Sequence, residues 1–150
     1  MIRITKESDY AVMVLGHLAG HPPGVVYTAR EIASWCGLTV PMVSKILRSL
    51  AKEKILTSHR GVSGGYALER SASETSVAEV VRAIEGPISM VQCGAEPGVC
   101  DQEARCPTRP NWGRISAEIE RALEGVPISE MVIHRSNLTQ VVDTAPTEDS

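Results

Sequence analysis

Apolar residues recur along the first half of the chain with the three-and-four spacing of helices that bury one face. In KESDYAVMVLGHLAG, Tyr10, Ala11, Val14, Leu15 and Leu18 share a side, and Gly20 predicts the end of the helix. HPPGVV interrupts the pattern with a breaker and a short extended piece. TAREIASWCG then predicts a second, short helix. Thr28 and Glu31 have capping-box spacing, Ile32 and Trp35 form the apolar stripe, and Gly37 can take the left-handed conformation that stops a helix. A third helix follows after one turn. Thr39 is its expected N-cap, Pro41 lies in the first turn where a missing N–H costs nothing, and Val43, Ile46, Leu47 and Leu50 make its buried stripe. Ser44, Lys45, Arg48 and Lys52 lie on the opposite side, so the pair reads as a helix-turn-helix whose second helix has a basic outer face.

ILTSHRGVSGGYAL predicts a β-hairpin, with strand-forming residues at Ile55 to His59 and Tyr66 to Leu68 and a turn supplied by Gly61, Ser63, Gly64 and Gly65. Helix-turn-helix followed by hairpin is the order of a winged helix. Ser76 and Glu79 cap another helix, with Val77, Val80, Val81 and Ile84 as its core stripe and Gly86 as its end. After a cysteine-rich loop, NWGRISAEIERALEGV places Trp112, Ile115, Ile119 and Leu123 at helical spacing. A stripe this long needs a partner, and a two-fold dimer seam is the expected one, with packing back on the first helix as the alternative. A short helix is expected near Ser129, and from about His134 the polar composition predicts disorder.

The expected fold is mainly α with a small β-hairpin: a winged helix-turn-helix at 1–86, a cysteine-rich loop at 87–109, a dimerisation helix with a short C-terminal helix at 110–133, and a tail at 134–150. A chain of 150 residues can bury a core without covalent staples. It shows no signal-peptide pattern and no apolar run approaching the roughly 18 residues of a membrane span, which predicts a soluble, cytoplasmic protein without a membrane partner.

The net charge of -3 conceals a division. Residues 1–70 carry nine Lys or Arg against five Asp or Glu, and residues 71–150 carry six against thirteen. The basic half is the helix-turn-helix half, which suits nucleic acid. Lys45 and Arg48 can reach phosphates or guanine edges, Ser44 can make a short hydrogen bond, and Arg60 at the hairpin tip can reach the minor groove or backbone. Thr28, Pro41, Gly61 and Gly64 complete the expected DNA-facing set, the glycines by letting the chain approach the duplex.

Three of the four cysteines lie between Cys93 and Cys106, in CGAEPGVCDQEARC. In a reducing compartment such a cluster points to metal or redox sensing rather than a structural disulfide framework. The spacing differs from the paired C-x2-C units of most zinc sites. Thiolates would suit zinc or an iron-sulfur cluster, and a reversible disulfide among two of the three is a further possibility. Segments between the cysteines lack any apolar period, so the thiols alone are expected to organise the loop. Cys36 is isolated and reads as a small core residue. No phosphate-binding glycine loop or HExxH motif is present, and no enzymatic role is expected.

Together RITKESDYAVMVL, TAREIASWCGLTVPMVSKILRSL, SHRGVSGGY, SVAEVVRAIEGPI, the three cysteines and PNWGRI resemble the IscR/NsrR family of dimeric winged-helix repressors across residues 1–133. The closest likeness is to regulators of SUF-type iron-sulfur assembly. That resemblance implies a homodimer on palindromic double-stranded operator DNA, repressing cluster-assembly genes. It implies an iron-sulfur cluster, [2Fe-2S] or [4Fe-4S], held by Cys93, Cys100 and Cys106. Where one branch has a fourth-ligand His this chain has Arg109, whose guanidinium is no ligand. The other branch uses an acid of the partner's first helix, which aligns with Asp9. Arg60 matches a minor-groove arginine, while Ser44 replaces a base-reading Glu. Two other readings remain: a metal-free thiol-disulfide switch regulator and a zinc-stabilised protein-interaction module.

Overall fold

The computed structural model describes residues 2–22 and 24–132. The tail predicted at 134–150 lies outside the described residues.

Helix α1 (Lys6–Ala19) starts at Thr5, whose hydroxyl accepts from Ser8 N–H, and ends at Gly20. Its Ala11, Val14, Leu15 and Leu18 are buried as the spacing predicts. Helix α2 (Ala29–Cys36) carries the full Thr28–Glu31 capping box and ends on Gly37 in the left-handed region, φ 65°. Helix α3 (Val40–Lys52) buries Val43, Ile46, Leu47 and Leu50 completely, each at 0% exposure. Thr39 occupies the N-cap position with extended backbone but makes no side-chain cap bond, a departure from expectation; proline in the first turn has already removed a donor that a cap would serve.

Strands β1 (Leu56–His59) and β2 (Gly65–Leu68) pair antiparallel, from Leu56 opposite Leu68 to His59 opposite Gly65. The extended piece before α2 adds a third rung that the pattern did not disclose. Tyr27 and Tyr66 exchange backbone hydrogen bonds of 2.9 and 2.8 Å, pinning the hairpin to the start of α2. A glycine is required beside this bridge: a Cβ on Gly65, at φ 156°, would lie 2.3 Å from the Tyr27 carbonyl oxygen.

Helix α4 (Val77–Glu85) begins with the Ser76–Glu79 capping box and packs on α1, α3 and α6. It leads through Gly86 and Pro87 to short α5 (Gln92–Ala95) and a 3-10 turn at Glu103–Arg105. Helix α6 (Arg109–Glu124) then crosses α4, and α7 (Ile128–Met131) returns to α1 and buries Ile128. Among the described residues no helix is long and apolar enough to cross a membrane.

Glu85 joins the two ends of this architecture. A glutamate closing a helix opposes the local dipole unless something else compensates. Here its Oε1 accepts from Ser8 Oγ at 2.6 Å, Thr5 Oγ1 at 2.9 Å and Thr5 N at 3.0 Å, all at the start of α1. Partial burial raises the Glu85 carboxyl, but the donors from Ser8 and Thr5 outweigh it and hold the group below the usual carboxylate range. Stability from this site is therefore complete above the ordinary range, roughly pH 4, and is lost as pH falls through the lower folded-state value. Replacing Glu85→Gln should cost about 1 kcal/mol, less than a buried charged hydrogen bond because solvent screens the exposed carboxylate. Thermal melts from pH 7 down to pH 3 should show a shallower acid loss in the variant than in the natural chain.

Candidate nucleic-acid interface and thiol site

Complete burial of one face of α3 turns the other outward. Lys45 and Arg48 are exposed, Ser44 is half-buried beside them, and Pro41 is exposed in the first turn. Arg48 and Arg60 join no ion pair among the described residues, so both guanidinium groups are available to phosphate. Lys45 differs. Its Nζ lies 3.1 Å from a Glu7 carboxylate oxygen of α1.

The structure narrows the parts assigned to three neighbours. Thr28 is exposed, but its hydroxyl donates to Glu31 Oε2 at 2.9 Å and accepts from Glu31 N–H at 3.2 Å, so its side chain is engaged in the cap. Gly64 is required by the hairpin itself: a Cβ there would meet the His59 and Gly61 carbonyl oxygens at 2.6 and 2.8 Å. Gly61 has open space around it and the positive φ of 102° that a turn residue needs. Gly61 to Gly65 also spell G-x-S-x-G, the letters of a hydrolase nucleophile elbow. That motif belongs between a strand and a helix, whereas here it links two antiparallel strands, so it has no catalytic context.

All four cysteines are free thiols. Cys93 lies half-buried on α5, Cys100 is exposed, and Cys106 is half-buried before α6. The loop is organised by more than its thiols, contrary to expectation. Met90 N–H donates to Ser116 Oγ at 2.9 Å, Gly98 N–H donates to Glu103 at 2.6 Å, and Arg109 pairs with Glu103 at 2.6 Å. Ser116 is the one buried residue of α6, and it fastens the loop to that helix. Arg109, at the place where the family resemblance would put a His ligand, thus works as a brace within the loop.

The structure brings the three thiols to one loop but not to one point. Among the described residues no three His, Cys, Asp or Glu side chains converge to hold a metal ion. Asp9 is exposed on α1, lining a cleft with Val12, Met13, His17, Met131 and Val132, none of them from the cysteine loop. In donor chemistry the set still suits a soft metal or cluster: three uncommitted sulfurs, one of them biased toward thiolate. Hydrogen bonding from Thr108, its hydroxyl 3.3 Å from Sγ, leads the effects that pull the Cys106 thiol below its usual value, with the Arg109 amide and guanidinium adding to it. Burial pushes the Cys36 thiol up, as suits a packing residue.

The Rrf2 profile, described as iron-dependent transcriptional regulators, matches residues 4–134. The chain belongs to the Rrf2 family. Protein rrf2 of Nitratidesulfovibrio vulgaris is 30% identical over 131 residues, 87% of each chain. The HTH-type transcriptional regulator IscR of Photorhabdus laumondii is 29% identical over 149 residues, 99% of this chain and 88% of that one. Two solved structures share the fold: CymR, the global cysteine regulator of B. subtilis, with TM-score 0.65, 20% identity and coverage of 89% and 100%, and T. potens IscR, with TM-score 0.62, 21% identity and coverage of 99% and 93%. This Rrf2-family protein is a transcriptional regulator with a winged helix, and not an enzyme.

Pattern reading missed Glu85, Glu7 and the ion pairs of Arg82 with Glu120 and Glu124 that tie α4 to α6. Only Glu85 left a signal in sequence, an acid at the dipole-disfavoured end of a helix. For the thiols, metal-free regulator at pH 7 should alkylate at Cys106 before Cys36. Thr108→Val should slow labelling of Cys106 by raising the pH at which its thiolate forms, a shift measurable by peptide mass mapping.

Proposed function

We propose that this regulator is a homodimeric repressor of iron-sulfur assembly genes that binds a palindromic operator and senses cluster status through Cys93, Cys100 and Cys106. The observation that carries the reading is the cysteine loop: three free thiols on a segment fastened to α6 through Ser116 and continuous with α4, whose Glu85 grips the start of α1. An iron-sulfur cluster on these sulfurs would supply reversible redox and ligand-loss chemistry. Asp9 of the partner subunit is proposed as the fourth donor, an oxygen harder and more exchangeable than thiolate. The relatives named IscR, one of them matched along 99% of this chain, support the assignment.

In the dimer, Trp112 and Ile115, 38% and 40% exposed, would be covered along the α6 seam. Two α3 helices would have to sit about 34 to 36 Å apart to reach successive major grooves. A small displacement of the loop would pass through Glu85 and α1 to that spacing. Arg48 and Arg60 would contact groove and backbone, with Ser44, Lys45, Pro41 and Gly61 beside them.

A second reading is a metal-free switch in which two of the three free loop thiols form a disulfide. Intact mass after mild oxidant would report it as a loss of two hydrogens without bound metal.

Anaerobically purified protein should carry iron and acid-labile sulfide and absorb in the visible. Cys93→Ala should abolish the absorption, and Asp9→Ala should change its spectrum or shorten its lifetime. Colourless protein with stoichiometric zinc would overturn the cluster and leave the regulator standing. Arg48→Ala and Arg60→Ala should each weaken duplex binding and reduce its salt slope by about 0.9 for every phosphate left without its cation. Binding unchanged at all salt concentrations would overturn the groove and wing assignment.

A further inference from the structure

Of Lys45, Arg48 and Arg60, the basic side chains of α3 and the hairpin assigned to DNA, Lys45 alone is in an ion pair among the described residues. Its Nζ lies 3.1 Å from Glu7 Oε2, with the Lys45 side chain 62% exposed and Glu7 26%. Glu7 is the better anchored partner. It lies in the first turn of α1, where the helix dipole favours a carboxylate, on a segment held by Thr5, Ser8 and Glu85. An exposed pair of this kind contributes little to folding stability. Its consequence for DNA binding is larger, because it changes how much charge the reading face can neutralise.

We propose that Glu7 is a positioning residue that sets specificity by withholding Lys45 from the phosphate backbone. The proposal rests on the reading of α3 as the DNA-contacting helix. Sequence-independent affinity comes from cations that displace the counterions condensed on DNA. If Lys45 leaves Glu7 for a phosphate, a counterion leaves the duplex, but the ion pair is lost and the Glu7 carboxylate is left unpaired beside the polyanion. That cost offsets the gain, so Lys45 stays with Glu7 and adds little to random binding. A base edge that presents acceptors in fixed positions, such as guanine O6 and N7, offers Lys45 directed hydrogen bonds that a generic phosphate does not. Glu7 thereby lowers the background on wrong sequences while leaving the directed contact available, which is discrimination by an unfavourable element rather than by an added attraction.

The test compares the natural chain, Glu7→Gln, Lys45→Ala and the double variant, all full-length and matched for iron content, by fluorescence anisotropy across salt. Two duplexes serve: a random sequence and one selected from a random library by the natural protein. Glu7→Gln should bind random duplex several-fold tighter at low salt, with a log-log salt slope steeper by up to about 0.9. Its ratio of selected to random affinity should fall. Lys45→Ala should leave the random-duplex slope near that of the natural chain and weaken binding to the selected duplex. In the double variant the steepening should vanish, a result that a merely structural role for Glu7 would not give.

Equal slopes and equal random-duplex affinities for the natural chain and Glu7→Gln would overturn the proposal. So would steepening that persists in the double variant, since the carboxylate would then act through the general field and not through Lys45. Lys45→Ala binding the selected duplex as tightly as the natural chain would instead overturn the DNA-contacting part given to Lys45 on which the proposal rests.

Discussion

Burial of the inner face of α3 is the constraint from which the rest of this structure follows. Val43, Ile46, Leu47 and Leu50 are wholly shielded from water, and each buried aliphatic side chain is worth about 1.5 to 3 kcal/mol relative to exposure. That burial fixes the rotation of the helix about its own axis. With the apolar stripe facing α1, α2 and α4, Lys45 and Arg48 are left on the exposed side, and the basic face is a product of core packing. The hairpin is then set relative to that face by the Tyr27–Tyr66 bridge, which needs Gly65 to bring the two backbones together.

The start of α1 is where the separate parts of the molecule meet. Thr5 and Ser8 receive Glu85 from the end of α4, Glu7 reaches Lys45 on α3, and Asp9 faces a cleft closed by the end of α7. These contacts fall between Thr5 and Asp9, and Glu7, Ser8 and Asp9 reach different elements because successive residues on a helix are rotated by about 100°. Helix α4 continues directly into the segment that bears the cysteines, and Arg82 on the same helix binds two carboxylates of α6. Polar contacts therefore join the cysteine loop, α4 and the start of α1 to the outward face of α3 without passing through the apolar core.

The longer helices were legible in sequence because their signals are local, whereas the four-residue α5 fell inside the stretch read as a loop. The capping boxes at Thr28–Glu31 and Ser76–Glu79 and the stops at Gly20, Gly37 and Gly86 require only a few neighbouring residues, and each appears where the pattern placed it. Thr39 was the exception, since a threonine at the right position can leave its hydroxyl unused. What could not be read were contacts that cross the fold. Glu85 to Ser8, Arg82 to Glu120 and Met90 N–H to Ser116 join residues far apart in sequence, and no periodicity encodes which polar side chains will meet. The cysteine loop lacked an apolar period, yet it is ordered by polar bonds that a hydrophobic pattern does not register.

Arg109 shows how a missing ligand becomes a structural part. The guanidinium cannot donate a lone pair to a metal, so a site built on the last cysteine and a nearby side chain is closed at that position. The same charge binds Glu103 at the start of the 3-10 turn and contributes to keeping the adjacent Cys106 toward thiolate, after the larger effect of Thr108. A residue that withdraws one donor thus steadies the loop and favours the charged form of another. In the proposed cluster site the fourth donor would be Asp9 of the partner subunit, because Asp9 of the same chain lines a cleft of α1 and α7 residues that no cysteine-loop residue enters. The exposed Trp112 and Ile115 of α6 leave an apolar surface beside that loop, so in the proposed dimer closure of the thiol site and burial of the stripe would be a single event.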